Sequence, residues 1–156
     1  MLSLSQTAGY VIVAMSQMNP PEGPPRLVKD VAKDAGIPSA YLSKVVHQLG
    51  ESGLLYSRRG RNGGVTLARS PDEINLLQIC DAVEGREWLG RCLLGLEVCS
   101  DERACPTHEF WKPLREKVRS RLSSLTLADI MRFEGKAWRT QLNLSFFAEV
   151  SELPGK

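Results

Sequence analysis

The chain has no uninterrupted apolar run near the roughly 18–20 residues that a bilayer crossing requires, so no membrane association is expected. Its N-terminus, MLSLSQTAGY, lacks the positive region and long apolar stretch of a secretion signal. Internal repeats are absent, and the one biased tract is a proline-rich loop. A net charge of +2 means that any basic surface must arise from how charge is distributed. No base–nucleophile pairing or second polar pocket is evident, so neither an enzyme nor a small-molecule substrate is expected. There are only four cysteines. Without a secretion signal the expected location is cytoplasmic, where disulfides are rare and closely spaced thiols read as ligands or redox sensors. At 156 residues, the chain fits one domain, or a small domain with an appended helix.

What is present begins with a helix over residues 4–18, whose apolar face includes Tyr10, Val11, Val13, Ala14 and Met18 and whose start Ser5 caps. Prolines 20, 21, 24 and 25 end it. A short amphipathic helix with Leu27, Val31, Ala32 and Ala35 follows, closed by Gly36 in a left-handed cap. Ile37 and Pro38 make a turn into a second helix from Ser39, placed as its cap, to Leu49. Two short helices across a glycine-bearing turn form a helix-turn-helix, or a plain helical hairpin. The next stretch favours the former. Leu54 to Arg59 and Val65 to Leu67 flank a glycine-rich turn in which Asn62-Gly63 signals a hairpin. A β-hairpin behind a helix-turn-helix is a wing, and Arg58, Arg59 and Arg61 at its tip suit phosphates or a narrow minor groove.

Charge distribution agrees. Residues 26–69 carry eight Lys and Arg against three Asp and Glu, or +5, leaving −3 for the remainder. A basic module on a slightly acidic body suits a polyanion partner, here double-stranded DNA. Lys29 belongs to that basic set, and the exposed face of the second helix offers Ser39, Ala40, Tyr41, Ser43, Lys44 and His47 as groove contacts. Ser70-Pro71-Asp72-Glu73 reads as a capped start of a helix ending at Gly85. Cys80 in that helix, among Ile74, Leu77 and Val83, reads as a small core hydrophobe.

The segment RCLLGLEVCSDERACPTHEFW, residues 91–111, gathers the other three thiols and one of only two histidines. Cys92, Cys99, Cys105 and His108 together suit a metal centre. Zinc favours closer C-x2-4-C pairs, whereas wider spacings wrap a larger iron–sulfur cluster. A metal-free thiol switch, assisted by Arg91 or Arg103, remains open, as does an iron–sulfur carrier or electron-transfer protein that keeps a winged helix. Beyond it, Trp111, Leu114, Val118, Leu122 and Leu125 stripe a helix over 109–125 that is expected to pair with a second copy. A homodimer would present paired second helices to a palindromic operator. Thr126 to Phe133 reads as a short capped helix, and residues 134–156 as a tail.

The fold class is therefore mainly α: a winged helix-turn-helix with a two-stranded β wing, plus a long C-terminal dimerisation helix. The expected divisions are 1–90 for DNA binding, 91–108 for the cluster loop, 109–133 for dimerisation, and 134–156. On LSQTAGYVIVAM, on the stretch from DVAKDAGIPSAYLSKVVHQLG through GRNGGV to EG, and on CPTHEFWKPLREKVRSRLSSLTLADI, the chain resembles the Rrf-type, IscR/NsrR-like winged-helix regulators over residues 4–133. That resemblance implies a dimeric transcription factor, a repressor, with a cluster on Cys92, Cys99 and Cys105. It implies His108 as the ligand completing a 2Fe–2S site, with 4Fe–4S as the alternative, and it matches Ser43 and Arg59 to DNA contacts. Two departures stand out: the first thiol spacing is one residue longer than the commoner one, and Gly9 occupies a position where some members carry an acidic ligand.

Overall fold

The computed structural model describes residues 5–60, 63–90, 100–103 and 105–133. Six α-helices and one two-stranded antiparallel sheet are described: α1 (Gln6–Ser16), α2 (Val28–Ala35), α3 (Ser39–Glu51), β1 (Leu55–Arg58), β2 (Gly64–Leu67), α4 (Leu76–Glu84), α5 (His108–Ser124) and α6 (Leu127–Phe133). Arg61, Asn62, Cys92, Cys99 and the 134–156 tail lie outside the described residues.

The core is apolar and continuous. From α1 come Val11 and Met15, from α3 Leu42 and Leu49, from the wing Val65 and Leu67, and from beyond it Ile79 and Leu127, all essentially inaccessible to water. Helix α1 touches α2, α3, α4 and α6, so the first helix is the pillar on which the others lean. Ser5 caps it, its hydroxyl accepting from the Ala8 N–H at 3.2 Å. Gly36 ends α2 at φ 69°, a left-handed conformation that side chains resist.

Two local expectations need correction. Ser39 is the first residue inside α3 rather than its cap, because Pro38 holds the extended cap position and no side chain bonds there. The wing hairpin forms as expected, with Gly60 and Gly64 at positive φ, 103° and 150°. Gly64 also lies so close to Arg26 that a Cβ would come within 2.5 Å of its carbonyl oxygen. That approach lets Arg26 bridge to Val65, with N···O distances of 3.0 and 2.8 Å, which ties the proline-rich loop to the wing. Finally, Ser70–Glu73 forms a capping box on a single 3₁₀ turn only. Helix α4 starts later, behind a second box in which the Asn75 and Gln78 side chains each bond the other's N–H at 3.0 Å. Ile74 and Asn75 are extended between the two because this stretch pairs with Leu125–Leu127: Leu76 N–H donates to Leu125 O at 2.9 Å and Leu127 N–H to Ile74 O at 2.8 Å.

That pairing returns the chain to the core after α5. Leu122 is buried, Val118 and Leu125 pack against the core, and α5 contacts α4, so the distal half of the α5 stripe is satisfied within one chain. The proximal half differs. Phe110 is 65% exposed, its ring edge-to-face with Trp111 at 5.3 Å. Pro113, six residues in, cannot donate to the Glu109 carbonyl and weakens the helix between these halves. Thr126 and Asp129 cap α6 reciprocally, as expected from the sequence.

Candidate nucleic-acid interface and metal centre

On α3 the apolar positions Leu42, Val45, Val46 and Leu49 turn inward, so Ser39, Ala40, Ser43, Lys44 and His47 fall on the exposed side. Lys29 on α2 is exposed as well, and so are Arg58 and Arg59 at the end of β1. The Ser43 hydroxyl donates to Ser39 O at 2.8 Å, leaving its oxygen lone pairs outward. His47 pairs loosely with Glu51 one turn later, at 3.4 Å. Arg26, counted among the basic residues, is committed to structure: it pairs with Asp34 at 2.5 Å and donates to Gln17 O at 2.6 Å.

Tyr41 departs from the expected set of groove contacts. Its ring packs against the core, and burial pushes its phenol pKa up, the nearby Thr7 side chain acting the other way. Glu84 also faces this phenol and, from the end of α4, accepts a very short hydrogen bond from the Ser5 hydroxyl. Tyr41 therefore supports α3 from behind. The start of α1 thus lies between α3 and the last turn of α4, beyond which the cysteine segment begins at Arg91.

Of the four expected metal ligands, Cys105 and His108 are described, and they share one turn, the His108 N–H donating to Cys105 O at 2.9 Å. The Cys105 sulfur is 3.2 Å from the Thr107 hydroxyl. That hydroxyl, together with the Thr107 N–H, holds the thiol below its ordinary pKa, which favours the thiolate that metals bind. Cys80 is the opposite case. It is fully enclosed, and burial pushes its thiol up to about 12, so it stays protonated and is no ligand.

The His108 ring is 3% exposed, and its Nε2 lies 2.7 Å from Asp101 Oδ1. Lys112, one turn further along α5, places its ammonium 2.7 Å from each Asp101 oxygen. Lys112 first and His108 second hold the Asp101 carboxyl below its usual range. Sequence reading missed Asp101 and Lys112. The i, i+4 spacing of His108 and Lys112 was the available signal, since it puts both on one helical face. Among the described residues, no three His, Cys, Asp or Glu side chains converge on a metal position. The chemistry of Cys105 and His108, a thiol with lowered pKa and an imidazole on one turn, nonetheless fits an iron–sulfur or zinc centre.

No helix among the described residues is long and apolar enough to cross a membrane. The family model described as "Iron-dependent Transcriptional regulator", Rrf2, matches residues 4–132. The HTH-type transcriptional regulator IscR of Aliivibrio salmonicida is 31% identical over 132 residues, covering 83% of this chain and 77% of the relative. Among solved structures, IscR of T. potens aligns with TM-score 0.66 and 28% identity over 87% of this chain and 90% of its own. CymR, the global cysteine regulator of B. subtilis, aligns with the same TM-score of 0.66 and 27% identity, over 86% of this chain and all of its own. The winged helix-turn-helix, its basic exposed side and these likenesses agree: the chain belongs to the Rrf2 family of HTH-type, DNA-binding transcriptional regulators.

Proposed function

We propose that this protein is a cytoplasmic homodimeric repressor whose grip on a palindromic operator is set by an iron–sulfur cluster held by Cys92, Cys99, Cys105 and His108, of 2Fe–2S rather than 4Fe–4S type. The observation that carries the reading is the single turn on which a thiol held below its ordinary pKa and a buried imidazole stand together, in a member of a family described as iron-dependent. When bound, the cluster supplies iron–sulfide bonds sensitive to oxidant, nitric oxide and iron supply.

The chain's own residues transmit the change. Ordering of 91–108 fixes how α4 ends and α5 begins. Glu84, at the end of α4, bonds Ser5 at the cap of α1, and Thr7, in the first turn of α1, lies beside the Tyr41 phenol of α3. Movement of the segment after Gly85 thus reaches α3 through the start of α1. In a dimer paired through α5, with exposed Phe110 at the seam, the same movement alters the spacing of the two α3 helices. Ser39, Ala40, Ser43, Lys44 and His47 face the groove, while Lys29, Arg58, Arg59 and Arg61 meet phosphates or the minor groove.

A metal-free thiol switch is the second reading, favoured by the low-pKa Cys105 thiol and the likeness to a cysteine regulator. Anaerobic purification separates them. The cluster reading expects iron, sulfide and visible absorption in the wild type and in Cys80→Ala, and their loss in Cys105→Ala. Colourless, iron-free protein whose operator affinity still responds to redox conditions sinks it. In the same assay Arg58→Ala with Arg59→Ala should weaken operator binding about tenfold or more and flatten the salt dependence by about two phosphate contacts. An unchanged salt slope removes the wing from the interface.

A further inference from the structure

We infer that Asp101 is a positioning residue for the metal centre: its carboxylate holds His108 as the Nε2–H tautomer, so that Nδ1 is the ring nitrogen offered to iron. This rests on the cluster reading for its consequence, but not for its geometry. A neutral imidazole carries one proton, and which nitrogen bears it is set by the hydrogen bond the other partner demands. Asp101 lies 2.7 Å from Nε2 and, being a carboxylate, can only accept there. With Nε2 protonated, the lone pair of the ring resides on Nδ1.

Metal-binding histidines generally donate their second ring nitrogen to such a carboxylate, which fixes the ring and raises its basicity. Three features make Asp101 the positioning group rather than a ligand in its own right. The Lys112 ammonium bonds both of its oxygens at 2.7 Å, so its charge already has a partner. Asp101, His108 and Cys105 do not converge as a three-donor set. And the ring it holds is 3% exposed whereas Asp101 is largely in solvent, so the carboxylate approaches the ring from the outside. Lys112 acts through Asp101, anchoring the 3₁₀ turn Asp101–Arg103 onto the first turns of α5.

The test uses the full chain in two states. In metal-free protein with ¹⁵N-labelled histidine, long-range ¹H–¹⁵N correlation reads the tautomer of His108, and His47→Gln removes the only other histidine signal. The wild type should show Nε2–H alone; Asp101→Ala should show a mixture; Lys112→Ala, which leaves the carboxylate in place, should keep the wild-type tautomer. In anaerobic, reduced protein carrying ¹⁵N at Nδ1 only, the iron-coupled nitrogen should be the labelled one. A tautomer unmoved by Asp101→Ala, a preference lost equally in Lys112→Ala, or iron coupling from Nε2 overturns the assignment. Should the protein hold no cluster at all, the tautomer measurement still decides the role of Asp101, and it is the cluster reading that falls.

Discussion

In α3, 13 residues long, the side chains buried are Leu42, Val45, Val46 and Leu49. In α5, 17 residues long, they are His108 and Leu122. The first helix is held by an apolar stripe fitted into a core that runs from α1 through the wing to α6. The second is held at its far end by Leu122 and at its near end by polar contacts, Asp101 to His108 and to Lys112. Hydrophobic burial needs no cofactor and tolerates none. Hydrogen bonds around a thiolate and an imidazole leave donor atoms that a metal can use. The comparison teaches that one apolar core, closed by Leu122 and Leu127, holds the DNA-binding helices, while the start of α5 is held by polar contacts.

The two cysteines described offer the widest contrast. Cys80 lies within the apolar core with its thiol pushed up to about 12, so at pH 8 only roughly one part in ten thousand is thiolate. Cys105, outside it, has its thiol held down by Thr107. In metal-free protein treated with iodoacetamide, Cys105 should be modified at least about a hundredfold faster than Cys80, read by mass spectrometry of their separate peptides. Comparable rates in folded protein would erase the distinction between core and sensing segment.

Next in size is Leu49→Ala. Leu49 is fully buried, and truncation there removes contacts and leaves a cavity, costing about 2–5 kcal/mol in urea denaturation followed by circular dichroism. Removing iron from the wild type should shift that transition far less, because neither described ligand, Cys105 nor His108, belongs to the apolar core. A chelator that costs as much stability as Leu49→Ala would show that the fold and the cluster are one cooperative unit.

Much of the DNA-binding part was legible because its signals are local. The spacing of Leu42, Val45, Val46 and Leu49, the cap at Gly36 and the alternation into the wing each depend on a few neighbouring residues. What escaped depends on partners far along the chain. The late start of α4 follows from the pairing of Ile74–Leu76 with Leu125–Leu127, some fifty residues away, which a capping-box motif at Ser70 cannot reveal. Tyr41 reads as exposed on a helical wheel, yet it packs inward because α1 and Glu84 come up beside it. Near the thiols, composition names Cys105 and His108 but not the carboxylate that orients the ring, since Asp101 reaches His108 only through the fold of the intervening turn. Arg61, Cys92 and Cys99 fall outside the described residues and stay as proposals.

The smallest effect sharpens the comparison inside a single helix. Tyr41 and Lys44 are three residues apart on α3, but Tyr41 packs on the core while Lys44 stands in solvent. Tyr41→Phe keeps the ring and removes only the hydroxyl beside Thr7, so stability should change by no more than about 1 kcal/mol. Operator affinity of that variant should match the wild type at fixed cluster state, because the hydroxyl does not reach the groove. Lys44→Ala should do the reverse, leaving the urea midpoint in place while weakening operator binding and lowering the salt slope by about one. If Tyr41→Phe instead lost affinity with its salt slope and stability intact, the phenol would be reading a base edge. The support of α3 from behind would then have to come from the apolar contacts of Leu42 and Val45 alone.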